Sequence, residues 1–363
     1  MTRGRFAPSP TGRMHLGNVF CALLSWLSAK SQGGEWVLRI EDLDPQRSRR
    51  EYALQLMDDL QWLGLLWDGE PVWQSQRGHI YEEYLLRLTE MGLTYPCHCT
   101  RADIMATQAP HETDGRVVYK GTCRPRAIDA ISAIDSIGSI DSTIRTAPAT
   151  TRLIVPDRTI PFTDGHYGSH DINLAEHCGD YIVRRKDGAW AYQLAVVVDD
   201  ALMGITEIVR GRDLLLSSPQ QIHLRELLFF ERKTENGTDA GSESRSKIYF
   251  DYAEQQGGKD REAGLKRKNN SLTAHHSQLT VNFFHHPLLC NAEGQRLCKR
   301  DKSMDLGYLR DKGTTAREII GLLAHLAGLT DTPAPITPTE LLPLFSWDKV
   351  PTEDIMLDKQ IML

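Results

Sequence analysis

The stretch RFAPSPTGRMHLGNVF, residues 5–20, decides the fold that we expect for this chain. It joins a short predicted strand at residues 3–7 to a predicted apolar helix, VFCALLSWLSAK (19–30), through a turn that two prolines stiffen. Two glycines follow the helix, and EWVLRIED (35–42) predicts a second strand. A strand, a helix and a second strand in this order are typical of a doubly wound parallel α/β sheet of the Rossmann type.

The turn before the helix has two interpretations. It is a tight β–α connection and nothing more, or it is a phosphate site, because a helix N-terminus presents unpaired N–H groups and a partial positive charge. In the second interpretation Gly17 lets a nucleotide lie against the backbone. His15 then donates a hydrogen bond to a phosphoryl oxygen as charge develops on it.

Composition narrows the class of protein. The chain has 363 residues, of which 40% are hydrophobic and 25% charged, so we expect a globular protein of two or three domains. It lacks an apolar run long enough for a membrane helix and a secretory signal, so we expect a cytoplasmic protein with no membrane partner. The net charge of −6 does not indicate nucleic-acid binding by the whole surface. The seven cysteines are an odd number, which favours reduced thiols or a metal site over a disulfide framework.

Later segments alternate helical and strand patterns. Helices are predicted at 50–65, 81–92 and 219–228 and after Thr315, and strands at YIVRR (181–185), YQLAVVVDD (192–200), ITEIVRG (205–211) and the start of 287–303. Two segments are predicted to be insertions without an assigned role. They are an Ile/Asp/Ser-rich stretch at 127–144 and a polar stretch at 232–280.

Three motifs carry a resemblance to a known family. They are PSPTG followed by His15 and Gly17, LRIEDLDPQRS (38–48) and WLGLLWDGEPVWQSQR (62–77). Together they resemble the class I aminoacyl-tRNA synthetases of the glutamyl and glutaminyl branch, densely over 3–100 and more loosely over 179–230 and 287–303. The resemblance implies a Rossmann-type catalytic domain with an inserted zinc-containing subdomain.

The resemblance also implies a division of the chain. Its predicted parts are a first catalytic half (1–96), an inserted zinc-binding subdomain (97–178), a second catalytic half (179–310) and a short helical C-terminal tail (311–363).

By resemblance, His15-Leu16-Gly17-Asn18 occupies the family's "HIGH" position and binds ATP, which is expected to carry Mg²⁺. The family's mobile "KMSKS" lysine loop corresponds to RLCKR (296–300), where Arg and Cys replace the first Lys and a Ser. Lys299 then holds the second lysine position and neutralises the departing pyrophosphate. His15, Asn18 and Lys299 are thus the predicted catalytic residues; the alternative for 296–300 is a solvated basic loop.

Glutamate needs groups that bind two carboxylates and one ammonium, and arginine suits the first task. The resemblance assigns glutamate binding to six residues: Arg5, Ala7, Ser9, Glu41, Tyr192 and Arg210. Without it, Tyr192 could be an ordinary strand aromatic. Arg210 could likewise pair with Asp199, Asp200 or Asp213.

A zinc site is predicted after the helix at 81–92. Cys97 and Cys99 are separated by one residue and Cys123 follows, which supplies three soft ligands for Zn²⁺. Chemistry alone favours a histidine as the fourth ligand, His98 or His111, whereas the resemblance favours Tyr119 because C-x-C…Y-x₃-C is similar to the zinc pattern of one paralogous subgroup. We expect a structural site; the alternative is free buried cysteines.

Little sequence follows Lys299, too little for the large helical anticodon-binding region of a glutamyl-tRNA synthetase. This resembles a truncated subgroup of the family that activates L-glutamate with ATP without tRNA and attaches it to queuosine at the wobble position of tRNA(Asp). The alternatives are a truncated enzyme that charges tRNA(Glu) and a non-catalytic RNA-binding paralog. We expect a monomer.

Overall fold

The computed structural model describes residues 1–106, 118–124, 148–229, 281–297 and 305–357. Both predicted insertions, His111 and the catalytic candidate Lys299 lie outside these ranges.

The strands are β1 (Arg3–Phe6), β2 (Glu35–Ile40), β3 (Val72–Trp73), β4 (Thr94–Cys97), β5 (Thr150–Leu153), β6 (Thr159–Asp164), β7 (Gly168–Asn173), β8 (Ile182–Arg184), β9 (Glu207–Gly211), β10 (Asn282–His286), β11 (Leu289–Cys290) and β12 (Ile355–Met356). The α-helices are α1 (Leu16–Ser31), α2 (Arg50–Trp62), α3 (Gly78–Glu90), α4 (Arg101–Ala106), α5 (Leu174–His177), α6 (Tyr192–Leu202), α7 (Ser218–Phe229), α8 (Leu306–Asp311), α9 (Ala316–Leu326) and α10 (Pro338–Leu341). Short 3₁₀ turns occupy Gln74–Gln76, Arg212–Ser217, Leu342–Leu344 and Trp347–Lys349.

The main sheet confirms the predicted doubly wound fold. Its strand order is β3-β2-β1-β9-β10-β6-β7, and the pairs are parallel except for the antiparallel edge pair β6–β7. From β1 the chain first builds outward through β2 and β3, and later returns to build through β9 and β10 on the other side. Ligands of open α/β sheets bind at the carboxyl ends of the strands where the order reverses in this way. Here that point lies between β1 and β9.

Helix α1 is buried against the sheet along most of its length. Leu23, Leu24 and Leu27 are fully buried in the largest apolar cluster, which also includes residues of β2, α2 and α9. The helix is therefore fixed by packing, and its first turn is held at the carboxyl end of β1, beside the reversal point.

A second, antiparallel sheet has the order β4-β5-β8. Of the segment 97–178, β5 contributes to this small sheet, whereas β6 and β7 extend the main sheet. The division of the chain into domains stays a prediction.

The prediction of a strand at 192–200 is wrong, because this segment forms helix α6. Its consecutive valines favour a strand by propensity, but an unbroken apolar run suits a buried helix equally well. Residues 194–200 are all buried. The central strand β10 and the strands β5, β6 and β7 were not predicted. The predicted strands at 181–185 and 205–211 are confirmed as β8 and β9, and the predicted first helix begins three residues early, at Leu16.

A short strand near the C-terminus pairs with the strand that precedes the predicted lysine loop. Strand β12 pairs in parallel with β11, and Asp354 forms a two-pronged ion pair with Arg212 at 2.6 Å. The predicted helix after Thr315 is confirmed as α9, capped at its start by Thr315. Among the described residues, none of the helices combines the length and apolar character that a membrane crossing requires.

Candidate active site

His15 caps the first turn of α1. Its Nδ1 accepts a hydrogen bond from the Gly17 backbone N–H at 3.1 Å, and the Asn18 side-chain oxygen accepts one from the His15 N–H at 3.1 Å. Because Nδ1 is an acceptor, a neutral ring carries its hydrogen on Nε2 and is a donor there. The cap therefore fixes the tautomer that the predicted phosphate-binding role requires.

The glycine at position 17 has a steric reason in this arrangement. A Cβ atom built there would lie 3.0 Å from both Cε1 and Nδ1 of the His15 ring. Any larger residue would press on the ring and disturb the cap. The sequence suggested that Gly17 leaves room for a nucleotide, and the structure adds that it leaves room for the histidine.

Arg5 lies at the carboxyl end of β1 in a buried ionic network. Its Nε lies 3.3 Å from Oδ1 of Asp200, and the same carboxylate oxygen accepts a hydrogen bond from Arg39 at 2.6 Å. Burial by itself would raise the pKa of Asp200, but the charges of Arg39 and Arg5 outweigh it and hold the pKa below its usual range. Asp200 thus anchors both arginines.

Glu41 joins this network through Arg39, whose Nη2 lies 3.1 Å from a Glu41 carboxylate oxygen. Burial raises the pKa of Glu41, and the Arg39 charge opposes that shift only in part. A carboxylate that lies close to Arg39 and Arg5, on a side chain that is 9% exposed, is a suitable receptor for an ammonium group.

Arg210 lies on β9, beside Arg5, and donates to three neutral acceptors. They are Oε1 of Gln221 at 2.7 Å, Oγ of Ser218 at 2.8 Å and Nε2 of His285 at 3.0 Å. The side chain of Arg210 is 4% exposed. Burial lowers its pKa, and the interactions with Tyr192 and with the nearby Asp200 carboxylate oppose this only in part.

The three carboxylates that could have neutralised Arg210 are engaged elsewhere. Asp199 pairs with Arg77 at 2.6 Å, Asp200 pairs with Arg5 and Arg39, and Asp213 pairs with Arg296. The predicted alternative, a structural ion pair of Arg210, is therefore not seen among the described residues. A buried cation held by neutral groups is prepared to bind an anion.

The other predicted glutamate residues surround these two arginines. Tyr192 is the first residue of α6, is 37% exposed and interacts with Arg210. Ala7 and the exposed Ser9 follow β1 directly in the turn, and the Pro8 carbonyl accepts a hydrogen bond from the Glu41 N–H at 3.0 Å. The turn thus connects the ends of β1 and β2. These placements bring the predicted glutamate residues to one end of the sheet, and their roles stay predictions.

The lysine-loop assignment cannot be followed to its key residue, because Lys299 lies outside the described residues. What precedes it is a short hairpin. The Leu297 N–H donates to the Leu289 carbonyl at 2.9 Å, and Gly294 takes the left-handed backbone conformation at φ 75° in the turn. The predicted strand and turn are confirmed to this point.

The predicted zinc ligands meet in space. The sulfur atoms of Cys97, Cys99 and Cys123 all lie within 4.8 Å of one another. The Tyr119 hydroxyl lies 3.4 Å from the Cys97 sulfur and 3.7 Å from that of Cys99. Three thiols and one phenol oxygen at these separations fit a tetrahedral Zn²⁺ ion.

The surroundings separate the candidates for the fourth ligand. The His98 side chain is exposed, whereas Tyr119 is buried, with the Arg152 guanidinium 3.7 Å above its ring. Burial opposes ionisation of the Cys123 thiol, but hydrogen bonds from Tyr119 and neighbouring groups outweigh it and lower the pKa to about 7. The lowered pKa of Cys123 favours the thiolate that zinc binding requires, whereas burial raises the pKa of Cys99 to about 11 and raises the pKa of Tyr119.

Sequence reasoning missed the residues that hold the predicted ligands in place. Asp200, Arg39, Asp164 and His285 are all buried, and none was singled out as a positioning group. A signal was present: paired carboxylates inside the apolar run AVVVDDAL and paired histidines inside NFFHHPLL are costly to bury unless they have partners.

Comparison with known proteins decides the family. The family model for tRNA synthetases class I (E and Q), catalytic domain, matches residues 1–236. The chain belongs to this family. It is therefore a class I ligase, and ATP binding follows from its class I catalytic domain.

Relatives match over the whole chain. A protein named glutamyl-Q tRNA(Asp) synthetase from Symbiobacterium thermophilum is 38% identical over 98% of this chain and 96% of its own length. One of the same name from Nitratidesulfovibrio vulgaris is 37% identical over 100% of this chain and 97% of its own length. A crystal structure of a glutamate tRNA ligase from Elizabethkingia meningosepticum, in complex with its amino acid, covers 99% of this chain and 68% of its own, with a TM-score of 0.69 at 24% identity. At this level of identity the likeness supports the fold alone.

Proposed function

We propose that this class I enzyme activates L-glutamate with ATP without tRNA and transfers it to the queuosine base at the wobble position of tRNA(Asp). The observation that carries the proposal is the similarity, across nearly the whole of both chains, to proteins named glutamyl-Q tRNA(Asp) synthetase. The cluster of Arg5, Glu41 and Arg210 at the reversal point of the sheet supports it, because these charges complement an amino acid with two carboxylates.

In the first step the glutamate α-carboxylate attacks the α-phosphorus of ATP, and pyrophosphate leaves. Arg210 binds a carboxylate of glutamate and Glu41 its ammonium group. The Nε2–H of His15 donates to a phosphoryl oxygen, and the Lys299 ammonium neutralises charge on the leaving pyrophosphate. Mg²⁺ bound with ATP would supply further positive charge to the phosphates.

In the second step a hydroxyl of the queuosine cyclopentenediol attacks the carbonyl carbon of the glutamyl-adenylate. The acyl–phosphate bond breaks, AMP leaves, the hydroxyl proton passes to solvent and an ester bond forms. The zinc proposed at Cys97, Cys99, Tyr119 and Cys123 is structural and has no role in either step.

The activation step is tested by exchange of labelled pyrophosphate into ATP, with glutamate and with no tRNA present. We expect glutamate-dependent exchange in the wild-type chain, loss of exchange in Lys299→Ala, and full exchange in the control Lys186→Ala, whose lysine is exposed in the turn after β8. Exchange that appears only with added tRNA(Glu) would indicate a truncated charging enzyme. Absence of exchange under all conditions would overturn the proposal in favour of a non-catalytic paralog.

A further inference from the structure

A row of buried polar side chains crosses three neighbouring strands beneath the predicted glutamate site. His285 of β10 lies directly opposite Arg210 of β9 in the parallel register, and β6 lies on the other side of β10. Asp164 ends β6, and its Oδ2 lies 2.6 Å from Nδ1 of His285. The row is thus Asp164, His285 and Arg210, and all three are at most 4% exposed.

The contacts fix the tautomer of the histidine. Nε2 of His285 faces the Nε–H of Arg210 at 3.0 Å, and this guanidinium can only donate. Nε2 must therefore be an acceptor, and the ring hydrogen is on Nδ1, where it donates to Asp164. A histidine protonated at both nitrogens would direct an N–H at the arginine and break the row.

The charges agree with this assignment. Burial lowers the pKa of His285, so the imidazole is neutral at pH 7. Burial by itself would raise the pKa of Asp164, but the hydrogen bond from His285 and those from the turn after β6 outweigh it, so the carboxylate stays ionised. Asp164 is therefore an ionised carboxylate that is connected to Arg210 through one neutral ring.

This arrangement solves a problem of substrate binding. A carboxylate in direct contact with Arg210 would compete with the substrate carboxylate for the guanidinium. Gln221 and Ser218 hold the two terminal nitrogens of Arg210, but without His285 the buried Nε–H would lose its acceptor, which is costly. The neutral His285 ring, which Asp164 orients, accepts a hydrogen bond from Arg210 and leaves the positive charge of the guanidinium available to the substrate carboxylate.

We propose that Asp164 and His285 are positioning residues that orient Arg210 for the glutamate carboxylate. The inference rests on the proposed function, because it takes Arg210 as a glutamate-binding residue. A purely structural role is the competing explanation, since Oδ1 of Asp164 also accepts backbone N–H groups of His166 at 3.0 Å and Tyr167 at 2.9 Å. The variants must therefore keep the hydrogen bonds from the backbone of His166 and Tyr167 while they break the contact between His285 and Arg210.

Two substitutions keep the turn and break the row. In Asp164→Asn the oxygen can still accept the turn N–H groups, while the amide nitrogen faces Nδ1 of His285 and forces its hydrogen onto Nε2, against Arg210. In His285→Asn the shorter amide can still donate to Asp164 but does not reach Arg210. His285→Gln places an acceptor near the former Nε2 and is the conservative rescue. His170→Asn is the matched control: it makes the same substitution on β7, at a histidine whose ring stacks on Phe162 and which is not a member of the row.

The measurements are KM for glutamate and KM for ATP in tRNA-free pyrophosphate exchange, together with the ¹⁵N shifts of the His285 ring. We expect glutamate KM to rise about tenfold in Asp164→Asn and His285→Asn, the size of one hydrogen bond to a charged group. It should rise less in His285→Gln and not at all in His170→Asn, with KM for ATP unchanged throughout. The ring hydrogen should move from Nδ1 to Nε2 in Asp164→Asn.

The outcomes separate this inference from the proposed function. Active variants with unchanged glutamate KM, or with both KM values raised equally, would overturn the positioning role and leave the proposed function intact. A wild-type chain without glutamate-dependent exchange would overturn the proposed function, and the inference with it. A wild-type His285 ring protonated on Nε2 would overturn the positioning role whatever the activity.

Discussion

At the scale of single residues, the opening motif places two demands on His15. As the N-cap of α1 it accepts a hydrogen bond from the Gly17 N–H, and as a candidate catalytic residue it donates from Nε2. The first contact fixes the tautomer that the second needs. The sequence motif predicted the donor role, but the capping role depends on a rotamer that the letters alone do not specify.

The two roles can be separated by mutation. Asparagine caps helices well, so His15→Asn should keep the free energy of unfolding within about 0.5 kcal/mol of wild type. It should slow glutamate activation about 100-fold, because the donor to the phosphoryl oxygen is lost. His15→Ala should lose the activity and, in addition, about 1 kcal/mol of stability. The checks are chemical denaturation and the pyrophosphate-exchange rate. Equal activity in His15→Asn and wild type would contradict the catalytic assignment.

His286 predicts a pH dependence of stability. Burial lowers its pKa from 6.5 to about 4. Between these values the unfolded chain binds a proton that the folded chain does not, so stability is present above pH 6.5 and is lost as the pH falls towards 4. This one group should cost about 2 kcal/mol between pH 8 and pH 5.

The measurement is the free energy of unfolding from urea titrations at pH 8 and pH 5, for wild type and His286→Gln. The wild-type loss should exceed the variant's by about 2 kcal/mol, because glutamine does not titrate. Equal losses in the two proteins would show that His286 is not the buried neutral group described here.

At the scale of elements, local patterns predicted what local interactions determine. The unit β1–α1–β2 followed from turn residues and periodicity within one short stretch. Helix α6 was mistaken for a strand because an apolar run of valines is ambiguous until its burial on all sides is known. Strand β10 was missed because its two histidines read as polar. The partners of His285 lie on the neighbouring strands β9 and β6, whereas His286 hydrogen-bonds the Pro287 carbonyl.

The metal-binding element gives a prediction of its own. We expect one Zn²⁺ per chain, and Tyr119→Phe should weaken zinc binding about tenfold or more, because the phenol oxygen lies within 3.7 Å of two ligand sulfurs. His98→Ala, which removes an exposed ring between two ligands, is the matched control and should bind zinc like wild type. Competition with a chromophoric chelator measures both. Zinc loss in His98→Ala with retention in Tyr119→Phe would assign the fourth ligand to histidine.

At the scale of the whole molecule, the strand order explains why distant segments form one site. Arg5 and Arg210 are far apart in the sequence, yet they end neighbouring strands at the point where the sheet order reverses. The family resemblance predicted both as ligands of one substrate. It did not predict the groups that hold them, because Asp200 reaches Arg5 from α6 and Asp164 reaches Arg210 through His285, contacts that only the three-dimensional packing creates.

The most direct test of the central claim is transfer of labelled glutamate, with ATP, to two preparations of tRNA(Asp), one that contains queuosine and one with unmodified guanosine at the wobble position. We expect labelling of the queuosine form alone, with no labelling of tRNA(Glu). Labelling of tRNA(Glu) in place of tRNA(Asp), or equal labelling of both tRNA(Asp) preparations, would contradict it.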